Sequence, residues 1–363
     1  DLVGQVGEAD VLVLCYACDS AASVMALREV YLPEIARLGA KLPMVLVGCK
    51  ADRRPASEAG SAEIDAAIME LIQEWGEQIE NCFECSARQL SGVAEVFAYV
   101  QRAVLYPLAP LYDRRTQLLT EPCRRALKRV FLLCDRDRDG ILNDEELNLF
   151  QVVCFGAPLQ PAELEGVKNV VREQCPLGLE AGGLTLLGFF FLNTLFLVRD
   201  RADTTWTALR EFGYADDLTL RGDYVRTKCP GVVGLPRRPA GELSPAAHKA
   251  LAALFERWDA DGDGLLSTEE LREGFSTSPM EPWTVQGLEG RVRTEPGGLP
   301  LGGWLAAWDL LAARRPSASV ELMLYLGLSG PDVSGAFRPV RRRKAEPLKG
   351  AGAQRMQRVV QLA

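Results

Sequence analysis

Two twelve-residue segments, Asp135–Glu146 (DRDRDGILNDEE) and Asp259–Glu270 (DADGDGLLSTEE), restrict the fold of this chain more than any other feature. Each places oxygen-bearing side chains at positions 1, 3, 5, 9 and 12, with glycine at 6 and an aliphatic residue at 8. Oxygens at alternate positions of a short loop converge only if the chain turns sharply. Gly140 and Gly264 permit the positive φ of that turn. Ca²⁺ is a hard cation that takes about six to eight oxygens at roughly 2.3–2.6 Å. The first segment offers the carboxylates of Asp135, Asp137 and Asp139, the backbone carbonyl of Ile141, Asn143 (directly or through water) and both oxygens of Glu146. The second offers Asp259, Asp261, Asp263, Leu265, Ser267 and Glu270 in the same order. Ser267-x-x-Glu270 is also an ordinary helix capping box, so a purely structural reading stands beside the metal reading.

This spacing is that of the EF-hand calcium loop, and helix-period segments lead into both copies. Pro122 sits early in a helix that presents Leu127, Val130, Phe131 and Cys134 on one face. Ser244-Pro245 begins its equivalent, with Leu251, Leu254, Phe255 and Trp258 inward. Arg136 and Arg138 oppose a cation in the first loop where the second has Ala260 and Gly262, so the second is expected to bind calcium more tightly.

One helix–loop–helix cannot bury its apolar face alone, and the two loops lie 124 residues apart. A repeat supplies other partners. Gly183-LTLLGFFFLNTLF resembles Gly298-LPLGGWLAAWDLL, and Phe212-Gly213-Tyr214 is echoed at Leu326-Gly327-Leu328. Each loop is therefore expected to pair with the degenerate unit that follows it. Aligning Gly183 and Gly298 with position 6 puts Phe189 and Trp304 at position 12, where neither binds a metal. A plain helical hairpin is the alternative.

The first hundred residues alternate differently. Strands are expected within Asp10–Asp19, Leu42–Cys49 and Cys82–Ala87. Helices are expected at Ser20–Leu38 (broken or kinked at Pro33), Ile64–Trp75 and Gly92–Leu105. Continuous apolar strands between amphipathic helices indicate a parallel sheet covered on both faces. Three strands are few for such a sheet, so this part reads as the second half of an α/β domain.

A 48% apolar and 25% charged composition with net charge −8 is that of a globular chain and argues against nucleic-acid binding. Cys15/Cys18 and Cys82/Cys85 are spaced C-x-x-C, but both lie in apolar, strand-like stretches. All ten cysteines are expected to be buried structural thiols, as in a reducing compartment. His248 has no nucleophile beside it and is read as helix packing. Leu184–Val198 is too short and too polar to span a bilayer. Gly231–Gly241 reads as a flexible connector. The run Arg341–Lys344 reads as a solvated linker, with electrostatic membrane contact as the alternative.

At the strand ends, Val45-LVG-Cys49-Lys50-Ala51-Asp52 resembles the N-K-x-D guanine-reading motif of small GTPases, and Glu84-Cys-Ser86-Ala87-Arg88 resembles their S-A-K motif. Asp52 can accept both guanine N–H groups, the Lys50 stem can lie across the base, and the Ser86-Ala87 backbone can donate to the guanine carbonyl. Cys49 stands where that family has asparagine. A GTPase half followed by two EF modules resembles the mitochondrial Rho GTPases (Miro). The junction Val104–Asp113, the stretch Leu192-NTLF and the segment Thr204–Tyr214 strengthen the likeness.

The resemblance implies a multidomain chain: a partial α/β P-loop-type GTPase domain followed by all-α paired EF-hand modules. Residues 1–106 form the GTPase part, 107–230 and 231–330 the two modules, and 331–363 a linker. It further implies residence in the mitochondrial outer membrane, facing the cytosol, and attachment to kinesin and dynein through adaptors. Membrane contact would come only through an anchor that this chain lacks, which makes the fragment itself cytosolic. No G-x-x-x-x-G-K-[ST] phosphate loop occurs in the sequence, so GTP or GDP and Mg²⁺ are expected only in an intact parent protein. The chain is expected to be a fragment without catalytic residues of its own. A calcium-binding adaptor with a vestigial GTPase fold is the alternative.

Overall fold

The computed structural model describes residues 6–7, 9–39, 42–76, 79–229, 241–284, 297–328 and 331–339. Strand β1 (Leu12–Ala17) lies parallel to β2 (Met44–Cys49), and β2 lies parallel to β3 (Ile79–Glu84), in the order β1-β2-β3. Period-two alternation divides β2 between two faces. Met44 and Leu46 join Leu14, Leu27, Ile35 and Leu71 on one side. Val45 and Val47 pack with Val96, Tyr99 and Ala103 on the other. The sheet is covered on both faces, as its apolar runs required.

Helices α1 (Ala21–Ala26) and α2 (Leu32–Arg37) are joined by a π-helical turn, Leu27–Tyr31. Pro33 has no N–H to complete the α-ladder, and the wide turn immediately before it absorbs the irregularity. Helix α3 (Glu58–Trp75) and α4 (Val93–Leu105) complete this part. The third strand begins at Ile79 and ends at Glu84 instead of running from Cys82 to Ala87. Two of its first three residues, Glu80 and Asn81, are polar and hide the pattern.

The cysteine expectation needs correction. Cys15 and Cys82 are exposed, while Cys18 is buried and Cys85 half-buried. An odd spacing along an extended chain sends the members of each C-x-x-C pair to opposite faces. Neither pair forms a site.

The rest is helical. Helix α5 (Glu121–Cys134) is capped by Thr120, whose side chain accepts from the Cys123 N–H. After the first acidic loop and its strand β4 (Ile141–Leu142) come α6 (Asp144–Phe155) and α7 (Pro161–Gln174). Strand β5 (Gly183–Thr185) then leads into α8 (Leu186–Val198), α9 (Ala202–Glu211) and α10 (Gly222–Lys228). The second module repeats the order with α11 (Pro245–Trp258), β6 (Leu265–Leu266) and α12 (Thr268–Gly274). It ends with β7 (Leu299–Pro300), α13 (Leu301–Arg314) and α14 (Pro316–Tyr325). His248 Nε2 meets Asp309 Oδ1 at 2.8 Å, tying α11 to α13.

Both modules contribute to one apolar core. Leu127 and Phe131 belong to the same buried cluster as Leu251, Phe255, Trp304 and Trp308. Helices α9 and α14 end alike, with Gly213 and Gly327 at φ +92° and +77°. Tyr214 N–H reaches back to Leu209 and Leu328 N–H to Met323, in the glycine-ended cap that satisfies terminal carbonyls. Gly241–Leu243 pairs antiparallel with Phe337–Pro339, and Val333 and Ala336 join the core. Ordered packing thus continues into the stretch expected to be linker. Most of the expected connector (231–240) and the run Arg341–Lys344 lie outside the described residues. Among those described, no helix is long and apolar enough to cross a membrane.

Candidate metal centres

Each acidic loop lies between an entering and an exiting helix, which brings its ends together. In the first, one carboxylate oxygen from each of Asp135, Asp137 and Asp139 lies within 4.8 Å of the others. Backbone donors hold the cluster open. Gly140 N–H donates to Asp135 Oδ2 at 3.0 Å, and Ile141 N–H to Asp139 Oδ1 at 2.8 Å. Glu146 spans the loop: Arg136 N–H donates to its Oε1 at 2.7 Å and Asn143 N–H to its Oε2 at 3.2 Å. Asn143 caps α6 by accepting from the Glu145 and Glu146 N–H groups.

The second loop follows the same plan. Asp259, Asp261 and Asp263 cluster, Gly264 N–H donates to Asp259 Oδ2 at 2.9 Å, and Leu265 N–H to Asp263 Oδ1 at 2.7 Å. Glu270 accepts from Ala260 N–H and Ser267 N–H, each at 2.8 Å. These donors hold its carboxyl below the ordinary range, with the Ser267 backbone N–H the largest influence. The capping box read from Ser267-x-x-Glu270 is present. It is compatible with metal binding, because each carboxylate oxygen keeps a further lone pair.

Three carboxylates this close repel one another unless a cation or a proton joins them. Asp135 gives the sharper test. It is buried, its Oδ1 has no hydrogen-bond partner, and burial pushes its carboxyl above the ordinary range. An orphaned anionic oxygen on a carboxylate clustered with two others is costly by itself and fits a hard cation. The residues present fit Ca²⁺, with Ile141 and Leu265 in place to offer backbone carbonyls.

The loops do not pair with each other. Ile141 and Leu142 of β4 align with Thr185 and Leu184 of β5, antiparallel. Leu265 and Leu266 of β6 align with Pro300 and Leu299 of β7. Each loop therefore joins the degenerate unit after it, and the plain-hairpin alternative fails. The alignment of those units shifts by one residue. Leu184 and Leu299 face loop position 8, and Thr185 and Pro300 hold the N-cap positions of the exiting helices that Asn143 and Ser267 hold in the first hands, although of the two only Thr185 caps with its side chain. Position 6 is thus Gly182 and Gly297, both at positive φ (+83° and +113°). Position 12 is Gly188 and Gly303, not Phe189 and Trp304. Glycine has no side chain to offer a metal, so the degenerate hands lack the last ligand outright.

At the other end of the chain, Asp52 Oδ1 accepts a 2.5 Å hydrogen bond from Ser86 Oγ, which also accepts from the Gln89 N–H. Ser86 is fully buried, and its hydroxyl holds the Asp52 carboxyl below the ordinary range. The loops after β2 and β3 thus meet at the carboxyl ends of parallel strands, the usual ligand edge of such sheets. Ala87 is exposed beside them. Lys50, at φ +58°, points its ammonium to within 3.7 Å of Asp19 Oδ1, and Arg53 approaches the same carboxylate. Sequence reasoning missed Asp19. Its position just after β1 was the available signal. Cys49 turns toward the thiols of Cys15 and Cys85, so nothing at that position braces the loop as an amide would.

Together the fold and the paired loops define a Ras-like α/β domain followed by EF-hand regions. The comparisons agree. The family described as "Ras family" matches residues 4–106, "EF hand associated" matches 157–247, and "EF hand" matches 251–276. The chain is 43% identical over 344 residues to Mitochondrial Rho GTPase 1 of Arabidopsis thaliana, covering 94% of this chain and 52% of that protein. It is 40% identical to Mitochondrial Rho GTPase 2 of the same plant, covering 96% and 53%. To Mitochondrial Rho GTPase 1 of Caenorhabditis elegans it is 37% identical, covering 95% and 55%. This chain is a homologue of the mitochondrial Rho GTPases along nearly its whole length, and it spans about half the length of those relatives.

Proposed function

We propose that this chain is the calcium-binding part of a mitochondrial outer-membrane GTPase that controls mitochondrial transport along microtubules through motor adaptors. The observation that carries the calcium reading is the orphaned Asp135 Oδ1 inside a three-carboxylate cluster. The mitochondrial setting rests on the names of the relatives, and the outer-membrane, cytosol-facing placement follows from family resemblance. Kinesin and dynein adaptors as partners follow from family resemblance. Residues 1–106 would carry the GTPase part, with the modules over 107–230 and 231–330.

Asp135, Asp137, Asp139, Ile141, Asn143 and Glu146 would hold one ion, and Asp259, Asp261, Asp263, Leu265, Ser267 and Glu270 another. Bound calcium supplies positive charge that lets each cluster stay ionised and compact. The silent partners are filled by Phe189, Trp304 and Trp308, which favours stiffening of the modules over opening of a groove. For nucleotide, Asp52, Ser86, Ala87 and Lys50 would face the base. The residues described do not fit the phosphates and Mg²⁺, because the sequence contains no G-x-x-x-x-G-K-[ST] loop.

Calorimetric titration with CaCl₂ tests the reading, with two sites expected and no saturable binding as the contrary result. Cys49 favours a second reading, a calcium-binding adaptor whose GTPase fold is vestigial. A fluorescent GDP analogue separates the two. Saturable binding abolished by Asp52→Ala excludes the adaptor, and absence of binding in calcium-loaded protein supports it.

A further inference from the structure

Between the two modules lies a cleft of about 430 Å³, within the roughly 300–1,000 Å³ usual for small-molecule sites. Helix α5 supplies Lys128 and Leu132, α11 ends in it with Arg257 and Trp258, and the turn after α14 closes it with Leu326 and Leu328. Both acidic loops reach its wall, the first at Asp135 and Arg138, the second at Ala260 and Glu270. In this cleft the two separate loops border a common space.

Its charges are unevenly satisfied. Glu273 holds Lys128 across the cleft at 2.5 Å. Glu270 accepts from the Ala260 and Ser267 N–H groups, and Asp135 belongs to the first carboxylate cluster. Arg138 and Arg257 differ: both line the cleft, and among the described residues neither has an ion-pair partner. Two like charges share the cleft with the apolar Leu132, Trp258, Leu326 and Leu328, and neither is held in a direct ion pair. Arginine's planar fork suits a carboxylate, sulfonate or phosphate.

We propose that this cleft binds a small organic anion, its acid group on Arg138 and Arg257 and its apolar body against Leu132 and Trp258, and that calcium strengthens the binding. Asp135 and Glu270 are both cleft wall and candidate calcium ligands. Filling the loops cancels acidic charge beside the site, and by linkage the anion raises calcium affinity equally. This calcium half rests on the reading given above, whereas the arginine pair does not.

The full chain is titrated with 8-anilinonaphthalene-1-sulfonate, an anion with an aromatic body, and with N-phenyl-1-naphthylamine, its neutral counterpart. Fluorescence is followed in CaCl₂ and in EGTA. The Arg138→Gln, Arg257→Gln double variant is expected to bind the sulfonate about tenfold more weakly with naphthylamine binding unchanged. Calcium is expected to tighten the wild-type sulfonate complex. Equal sulfonate affinity in wild type and variant, or an equal loss for both dyes, overturns the site. Unchanged affinity in protein shown by calorimetry to hold calcium overturns the coupling. Loops that take up no calcium overturn the earlier reading, while the arginine dependence still supports the site.

Discussion

Arg129 Nε donates to the carbonyl oxygen of Leu324 at 2.6 Å, with the arginine 1% exposed. The two residues belong to different modules, on α5 and α14. A second N–H, on Nη1, donates to the Phe212 carbonyl at 3.0 Å, and the rings of Tyr214 and Tyr224 flank the guanidinium. The cation therefore sits where α9 and α14 end, in the partial negative charge of terminal carbonyls. Its bonds reach the ends of two equivalent helices of the repeat, so one side chain fastens the first module to the second.

Arg129→Met removes both bonds and leaves those carbonyls unpaired in the core. A loss of about 3 kcal/mol is expected, since hydrogen bonds to a charged donor contribute roughly 1.5–3 kcal/mol each. Arg129→Lys does not restore it, because an ammonium cannot span both carbonyls as the fork does. Denaturant unfolding followed by tryptophan fluorescence checks this. A variant as stable as wild type contradicts the fastening role.

Gly188 stands at position 12 of the first silent hand, and a Cβ there would lie 2.1 Å from the Gly178 carbonyl oxygen. Gly188→Glu restores the residue type of a calcium ligand but cannot be seated without backbone movement. The expected outcome is a destabilisation of at least about 2 kcal/mol by overpacking and no third calcium site. Calorimetry showing a third site in a folded variant contradicts the assignment.

Glu80 is a half-buried carboxyl on β3 of the sheet. Burial pushes its pKa above the ordinary 4.5, with the Arg114 charge only partly offsetting, and its Oε1 lacks a hydrogen-bond partner. A raised folded pKa means that the stability present below pH 4.5 is lost as pH rises through the folded value. Glu80→Gln removes the charge altogether. Its Tm should exceed that of wild type at pH 7, and the gap should close toward pH 4. A gap independent of pH contradicts the burial cost.

Much of this architecture is legible in the chain. Ligand spacing located both loops, and the offset repeat located their partners, because neither feature depends on distant packing. The doublets Gly182-Gly183 and Gly297-Gly298 were the weak point. Either glycine could serve position 6, and only the strand register and the backbone φ distinguish them. Arg129 was invisible for the opposite reason: its partners are carbonyls, which every residue carries. The start of β3 was hidden by Glu80 and Asn81, polar residues in a strand read from apolar runs. Asp52 and Ser86 were readable through their motifs, whereas the Asp19 carboxylate that approaches Lys50 lies outside any motif.

The loops should differ in affinity. Arg136 and Arg138 add positive charge to the first, and Ala260 and Gly262 replace them in the second. Replacing both arginines by glutamine should tighten the first site by about tenfold at low salt, less at high salt where exposed charges are screened. Unchanged affinity at low salt contradicts the electrostatic account.

The central claim is that two separate loops each bind one calcium ion beside a silent partner. Calorimetric calcium titration of wild type, Glu146→Gln and Glu270→Gln tests it most directly. The account predicts two ions for wild type, the tighter site lost in Glu270→Gln and the weaker lost in Glu146→Gln. Four ions for wild type, none, or two undiminished sites in either variant would contradict it.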